Sequence, residues 1–219
     1  VMNSGLGLLS MSYLIIFFLF GIFSFVGVYL FKKIASKFNV ISSPNFRTLH
    51  ENPTPSGGGV IFSIIFLIGL TLIWNDSKLS NNIFFILVIG GIAATLFGLI
   101  DDIKNIRARF KLIFQIVLAS WMAYWLHSDE GELLNFVPSF IAIPAYILFM
   151  VWMLNAYNFM DGIDGMAASG AIFACMTLTL VLFLTGSAGN LMPIFVLLAF
   201  TVFGFIIFNW PNASIFMGD

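Results

Sequence analysis

The carboxylates of this sequence gather in short polar segments between long apolar runs. One segment, residues 158–165, reads NFMDGIDG and spaces Asn158, Asp161 and Asp164 three residues apart. On a helix, side chains with this spacing share a face, which predicts a polar stripe of two carboxylates and an amide. The two glycines leave room for a ligand or another helix to come close. The pattern favours a binding site over a buried polar network that holds helices together.

A second segment, residues 98–111, reads GLIDDIKNIRARFK and places adjacent carboxylates beside several cations. Asp101 and Asp102 repel each other, and a nearby cation restores their ionised form. The pair fits either a magnesium site or a base that removes a proton. Arg109 and Lys111 suit contact with phosphates. A charged loop that only sets membrane topology is the alternative.

Two further segments combine polar residues with glycines. Residues 49–62 read LHENPTPSGGGVIF, in which His50 precedes glycines that could bring backbone N–H groups close to an anion. Residues 209–219 read NWPNASIFMGD, in which Gly218 lets the backbone turn and expose the carboxylate of Asp219. Carboxylates combined with basic and glycine-rich elements suit a divalent cation that bridges a phosphorylated substrate.

The elements that must position these segments are apolar helices. Hydrophobic residues make up 60% of the 219-residue chain and charged residues 9%, against about 25% charged residues in soluble domains. Several apolar runs approach the roughly 20 residues that a helix needs to cross a bilayer. The sequence therefore predicts an all-α polytopic membrane protein with about seven transmembrane helices, forming a single domain over residues 1–219. The runs are residues 11–31, 57–74, 83–100, 110–126, 136–157, 166–186 and 191–208.

Seven spans place alternate loops on opposite sides of the membrane. Eight of the nine Lys and Arg residues fall on the side that receives loops 32–56, 101–109, 158–165 and 209–219. The positive-inside rule makes that side cytoplasmic. All four polar segments lie on it, so we expect them to build one site. The net charge of −1 gives no indication of a nucleic-acid partner.

In this order, the elements HENPTPSGGG, GLIDD with RARFK, NFMDGIDG and NWPNASIFMGD resemble the motifs of the polyprenyl-phosphate N-acetylhexosamine-1-phosphate transferases of glycosyltransferase family 4. NFMDGIDG looks closer to the branch that initiates O-antigen synthesis than to the peptidoglycan branch. The resemblance implies a bacterial inner-membrane enzyme with a ten- or eleven-helix fold. Such an enzyme transfers a sugar-1-phosphate from a UDP-N-acetylhexosamine to undecaprenyl phosphate and releases UMP. It implies Mg²⁺ as the cofactor, with Mn²⁺ as an alternative, and a homodimer as an assembly that occurs in the family.

Residue by residue, the resemblance also implies roles. Asp219 matches a magnesium ligand, and Asp101 and Asp102 match catalytic positions near the lipid phosphate and the metal, with Asp101 the candidate base. The remaining matches, together with His50 from the first loop, are substrate-binding candidates: Asn158, Asp161 and Asp164 for the nucleotide sugar, Asn209 and Phe216 for the uracil, and Lys111 and Arg109 for phosphates.

Two departures from the family pattern stand out. Ser56 occupies a position where the family usually has Arg, and the chain stops at Asp219, whereas family members continue through further spans and a histidine motif. We therefore expect an N-terminal fragment with an incomplete family fold and no activity of its own. The alternatives are a cation- or proton-coupled transporter, whose carboxylates should lie near mid-span, and a catalytically inactive family member.

Overall fold

Seven α-helices account for most of the computed structural model, which describes residues 11–35, 41–42, 53–76, 80–128, 138–186 and 191–219. In chain order they are α1 (Met11–Ile34), α2 (Gly58–Asp76), α3 (Asn81–Lys104), α4 (Ala108–Ser128), α5 (Ser139–Met160), α6 (Met166–Leu184) and α7 (Met192–Asn209). Each apolar run predicted from the sequence corresponds to one of these helices. The prediction of an all-α polytopic membrane protein is therefore confirmed.

The seven described helices differ in how well they suit a bilayer. By length and composition, α1, α3, α5, α6 and α7 can cross a membrane, and α2 contributes a shorter apolar helix over Gly58–Trp74. Helix α4 is the least apolar of the seven, and its first turns carry Arg109, Lys111 and Gln115. It therefore brings polar side chains to one end of the bundle.

Helix α7 lies at the centre of the bundle, where it packs against α1, α2 and α6. Close approach to α1 depends on glycine, because a Cβ on Gly204 would lie 2.8 Å from the backbone nitrogen of Phe25 and would also collide with the carbonyl oxygen of Gly21. Ser24 Oγ donates a buried hydrogen bond of 2.6 Å to the carbonyl of Thr201 at this crossing. Small residues and polar contacts of this kind drive helix association in lipid.

Helices α2 to α5 follow one another in space as they do in sequence, each packed on the next. The rings of Trp74 and Phe84 stack between α2 and α3 with centroids 4.3 Å apart, and those of Phe97 and Phe114 stack between α3 and α4 at 3.8 Å. Helix α5 packs mainly on α4 and only sparsely on α6. Two short strands, β1 (Ile41–Ser42) and β2 (Thr54–Pro55), pair antiparallel beside the helices.

The loop between α3 and α4 is shorter than predicted, and that boundary is wrong. Asp101 and Asp102 belong to the last turn of α3, and Arg109 belongs to the first turn of α4. Helix α3 ends because Asn105 adopts the left-handed conformation with φ 49°, and its N–H donates to the Asp101 carbonyl at 2.7 Å. The Asp101 carboxylate then accepts the N–H of Ile106 at 2.8 Å, so one aspartate closes the helix with both its backbone and its side chain.

Candidate functional site

The candidate site forms around residues 213–219, called here the 213–219 segment, which follow α7. Its backbone is bound to the start of α2. Phe216 N–H donates to the Pro55 carbonyl at 2.8 Å, and the N–H groups of Gly58 and Gly59 donate to the carbonyls of Phe216 and Met217 at 2.9 and 2.8 Å. The prediction that these glycine N–H groups approach an anion is therefore wrong for Gly58 and Gly59. They bind the chain's own carbonyls and fix the position of the segment.

Asp219 lies where side chains from three helices converge. Lys111 Nζ on α4 contacts its Oδ2 at 2.5 Å, and Asn158 Nδ2 on α5 donates to its Oδ1 at 2.6 Å. The backbone N–H of Asp219 donates to Asp102 Oδ1 on α3 at 3.1 Å. Lys111 also forms an ion pair with Asp101, which is only 2% exposed. Three segments predicted to meet on one side of the membrane are thus brought together in one site.

Gly98 is a residue of this site that the sequence reasoning missed. A Cβ at position 98 would lie 2.6 Å from the carbonyl carbon of Asp219 and 2.7 Å from its carbonyl oxygen. Any side chain at position 98 of α3 would therefore overlap the backbone of Asp219. The signal was present in the GLIDD motif, where Gly98 stands one helical turn before the two aspartates.

The NFMDGIDG segment does not form the single helical face that its spacing predicts, and that prediction is wrong. Helix α5 ends at Met160, and residues 161–165 form a turn in which Gly165 has φ 72°. Asn158, Asp161 and Asp164 nevertheless all bind the 213–219 segment, at different points. Asn158 holds Asp219, Asp161 accepts the backbone N–H of Gly218, and Asp164 Oδ2 accepts the N–H of Ala213 at 2.9 Å.

The pKa values of Asp161 and Asp219, both outside the helices, shift in opposite directions. Burial raises the pKa of Asp161 to about 7; the Gly218 N–H opposes this rise, and the carboxylates of Asp102 and Asp219 reinforce it. Burial also acts to raise the pKa of Asp219. There it is outweighed by hydrogen bonds with Asp101, Lys111 and Asn158, which hold the pKa of Asp219 below its ordinary value. Asp219 is therefore the more strongly ionised of the two.

This shift predicts that stability depends on pH through Asp161. Its folded-state pKa of about 7 lies above the ordinary value of 3.8, so the folded protein binds this proton more tightly than the unfolded chain does. The contribution favours folding in acid, declines as pH rises from about 4 to 7 and stays lost above that. In detergent with a chelator, Asp161→Asn should lose less melting temperature than the wild type between pH 5 and pH 8. Equal losses in both proteins would contradict the assignment.

Asn209 is 2% exposed, and both the oxygen and the nitrogen of its amide bind backbone groups of other segments. Its Oδ1 accepts the N–H of Gly165 at 3.1 Å, and its Nδ2 donates to the carbonyl of Ile215 at 3.1 Å. The predicted contact between Asn209 and a uracil stays a prediction. In this geometry the residue ties the 161–165 turn to the 213–219 segment.

We expect Asn209→Ala to destabilise the protein, because it leaves two buried backbone groups without partners. Each such group costs about 1–3 kcal/mol of stability. For the two groups together, this corresponds to a fall in melting temperature on the order of 10 °C. Thermal unfolding in detergent measures the fall. Asn209→Asp keeps an acceptor for Gly165 but places a buried carboxylate oxygen against the Ile215 carbonyl, so it should not restore the melting temperature of the wild type. A melting temperature of Asn209→Ala equal to that of the wild type would contradict this role.

The remaining predicted residues differ in how close they come to Asp219. Phe216 lies within the 213–219 segment and is half-buried. Arg109 places its guanidinium 4.9 Å from the ring centroid of Phe110, and within the described part of the chain it joins no ion pair. His50 lies outside the described residues. Their predicted substrate contacts stay predictions.

The donor types at the site suit a hard cation. Asp101, Asp102 and Asp219 offer carboxylate oxygens, which Mg²⁺ prefers. Among the described residues, no three His, Cys, Asp or Glu side chains are disposed to hold a metal ion together. The Lys111 ammonium instead bridges Asp101 and Asp219. The chemistry of the donor set therefore fits Mg²⁺, and a positive charge already lies between two of the three carboxylates.

Comparison with known proteins adds independent evidence. The family model described as "Glycosyl transferase family 4" matches residues 84–219, which include most of α3, all of α4 to α7 and the 213–219 segment. A "Probable undecaprenyl-phosphate N-acetylglucosaminyl 1-phosphate transferase" of Bacillus subtilis is 25% identical over 195 residues, covering 86% of this chain and 53% of that protein. An "Undecaprenyl-phosphate alpha-N-acetylglucosaminyl 1-phosphate transferase" of Thermotoga maritima is 28% identical, covering 84% of this chain and 53% of that protein.

A second group of relatives carries a different name. A "Phospho-N-acetylmuramoyl-pentapeptide-transferase" of Lactobacillus gasseri is 31% identical over 192 residues, covering 77% of this chain and 57% of that protein. The chain thus spans little more than half the length of these three curated relatives. The region matched by the family model, residues 84–219, contains the aspartates and the lysine described above.

Proposed function

Because the chain belongs to glycosyl transferase family 4, whose model covers residues 84–219, we propose that it transfers an N-acetylhexosamine-1-phosphate from a UDP-linked amino sugar to undecaprenyl phosphate and releases UMP. The observation that carries the proposal is Lys111, held between Asp219 and Asp101, which lies in the last turn of a helix that can cross a membrane. An ammonium in that position can bind the phosphate of a lipid on one side and the phosphates of a nucleotide on the other.

The proposed reaction is a phosphoryl transfer. A non-bridging oxygen of the acceptor phosphate attacks the β-phosphorus of the UDP-sugar. The bond from that phosphorus to the oxygen that bridges it to the α-phosphorus breaks, and UMP leaves with this oxygen. Both reactants are anions, so charge neutralisation and positioning account for most of the catalysis. We favour a single in-line displacement over a two-step route through a phosphorylated aspartate.

Lys111 supplies the positive charge of the protein in this proposal. The Lys111 side chain is 33% exposed, whereas Asp101 is buried, so a phosphate can reach the lysine from the exposed side. A phosphate oxygen that binds Lys111 Nζ replaces part of its interaction with Asp219. The two carboxylates keep the lysine charged and aimed at the site until substrate arrives.

Asp219 would hold Mg²⁺ in the proposed site, with Asp102 nearby. The ion would supply charge neutralisation on the diphosphate of the nucleotide sugar. Asp102 accepts the backbone N–H of Asp219 and so sets the position of that carboxylate. Asp219 has an exposed fraction of 31%, which leaves its oxygens accessible.

Asp101 is the proposed base for the acceptor phosphate, although both of its carboxylate oxygens already have partners. One of its oxygens accepts the Ile106 N–H at 2.8 Å and the other pairs with Lys111. We assign the proton taken from the acceptor to the oxygen that Lys111 now contacts, since the other oxygen already accepts the Ile106 N–H. Movement of Lys111 towards the substrate phosphates releases that oxygen, which couples substrate binding to proton removal.

We assign the site to the cytoplasmic face of a bacterial inner membrane. The positive-inside distribution of Lys and Arg supports this orientation, and a UDP-sugar is a soluble cytoplasmic donor. A role in starting O-antigen or another envelope polysaccharide follows from the resemblance of NFMDGIDG to that branch. The transporter alternative is weaker, because Asp101, Asp102, Asp161 and Asp219 lie at or beyond helix ends.

An incorporation assay tests the proposal. Membranes that contain the protein as its gene encodes it are incubated with undecaprenyl phosphate, Mg²⁺ and radiolabelled UDP-N-acetylglucosamine. We expect label in the lipid phase and none when a chelator removes the metal. The same assay with other UDP-amino sugars identifies the donor. If no UDP-amino sugar labels the lipid, the transferase proposal is wrong.

A further inference from the structure

A second polar contact joins α4 and α5, one helical turn away from Asp219. Asn155 Nδ2 on α5 donates to Gln115 Oε1 on α4 at 2.7 Å, and also to the Val151 carbonyl of its own helix at 2.7 Å. Neither Gln115 nor Asn155 belongs to the motifs of the sequence analysis. Both are uncharged amides in otherwise apolar stretches of their helices.

The spacing of this amide pair relates it directly to the site. Gln115 follows Lys111 by four residues and Asn155 precedes Asn158 by three, so each amide lies on the same helix face as a residue that binds Asp219. From Lys111 to Gln115, and from Asn158 to Asn155, each helix runs away from its end and into the bundle. The amide pair is therefore about 5 Å deeper than the contacts of Asp219, given a rise of about 1.5 Å per residue.

The pair has a free donor. The Gln115 Oε1 is occupied by Asn155, and for Gln115 Nε2 no hydrogen-bond partner is found among the residues that the structure describes. Gln115 is half-buried and Asn155 is exposed. Amides that only hold helices together in lipid are expected between the helices, because an accessible N–H without a partner is costly in an apolar environment.

We infer that Gln115 binds the phosphate end of the polyprenyl phosphate acceptor, with its Nε2 donating to a phosphate oxygen, and that Asn155 is the positioning residue that turns this N–H towards the lipid. The inference rests on the proposed function. A polyprenyl phosphate enters from the bilayer, so the oxygens on the membrane side of its phosphate lie deeper than the oxygens that meet Lys111. A water-soluble UDP-sugar approaches from the opposite side and does not reach this depth.

Steady-state kinetics with both substrates varied separately test the inference. We expect Gln115→Leu to raise the KM for undecaprenyl phosphate about tenfold, the effect of losing one hydrogen bond to a charged group, and to leave the KM for the UDP-sugar unchanged. Asn155→Leu should raise the KM for the lipid by less, because the donor remains and only its orientation is lost. The double variant should match Gln115→Leu.

A purely structural pair predicts a different pattern. Gln115→Leu and Asn155→Leu break the same interhelical bond, so a purely structural role predicts that the two variants change both KM values to the same extent. That result would overturn the inference and leave the proposed function intact. Thr179→Val is the matched control, since it removes a side-chain hydrogen bond of α6, from Thr179 Oγ1 to the Cys175 carbonyl at 2.8 Å, and should change neither KM.

Direct binding separates this inference from the proposed function. Undecaprenyl phosphate and undecaprenol are titrated into the detergent-solubilised protein, and the rise in melting temperature is measured. The wild type should respond more strongly to the phosphate than to the alcohol, and Gln115→Leu should lose most of that difference. An unchanged difference would refute the role of Gln115 whether or not the protein transfers sugar phosphate. Failure of the wild type to label lipid with any UDP-amino sugar would refute the proposed function alone.

Discussion

Replacing Asp219 with alanine should reduce turnover roughly 10³-fold or more, the largest effect that we expect from any single side chain of the site. The change removes the proposed metal ligand. It also leaves the amide of Asn158 without its acceptor and Lys111 with Asp101 as its one remaining carboxylate partner among the described residues. The incorporation assay, with enzyme amounts matched by quantification, measures the loss.

Asp219→Asn removes the negative charge of the side chain while keeping its size, and so separates the effect of the charge from that of packing. The amide keeps an oxygen that can accept from Asn158, so the variant should fold with a melting temperature near that of the wild type. It should nevertheless be almost as inactive as Asp219→Ala, and its melting temperature should no longer rise when Mg²⁺ is added. Near-normal turnover in Asp219→Asn, or an Mg²⁺ response equal to that of the wild type, would remove the metal assignment.

Gly218→Ala should inactivate the protein without altering any polar side chain of the site. Gly218 has φ 84°, a conformation that alanine adopts only with strain. A Cβ there would also collide with the Asp102 carboxylate and lie 3.0 Å from the backbone nitrogen of Gly57. Because Gly57 begins the segment that holds Phe216 and Met217, the clash must displace Asp219. We expect a loss of activity of at least about 10²-fold, since a small misplacement near the chemistry has effects of that size.

Gly186 provides the matched control. It also has a positive φ, 68°, but a Cβ added to it meets nothing within 4 Å. Gly186→Ala therefore carries the backbone strain, about 1–2 kcal/mol, without the collision. Its turnover should stay close to that of the wild type while its melting temperature falls by a few degrees. Equal turnover in Gly186→Ala and Gly218→Ala would show that contact with Asp102 is not what requires glycine at position 218.

The helices and the side on which the polar segments meet could be predicted from the sequence. Apolar runs of membrane-spanning length leave little choice but helix, because backbone groups in lipid must be satisfied within the segment. Counting the spans then assigns each loop to a side without knowledge of the packing. For this reason Asp101, Lys111, Asn158 and Asp219 could be expected together before any distance was known.

The finer arrangement could not be predicted, because it depends on contacts between distant residues. The three-residue spacing of Asp161 and Asp164 suggested one helical face, yet α5 ends before them and they bind the backbone at Gly218 and Ala213. Gly58 and Gly59 resembled an anion cradle, whereas their N–H groups bind carbonyls almost 160 residues later in the chain. Local spacing does not reveal which distant backbone group will satisfy a donor.

The central position of α7 has a consequence for the order in which the protein is assembled. Synthesis proceeds from the N-terminus, so α1 to α6 enter the membrane before the helix on which α1, α2 and α6 pack. Until α7 arrives, Gly58 and Gly59 lack their carbonyl partners, and Asp161 and Lys111 lack Gly218 and Asp219. The bundle around α7 and the contacts of the candidate site therefore form together, when α7 and the 213–219 segment join the helices made before them.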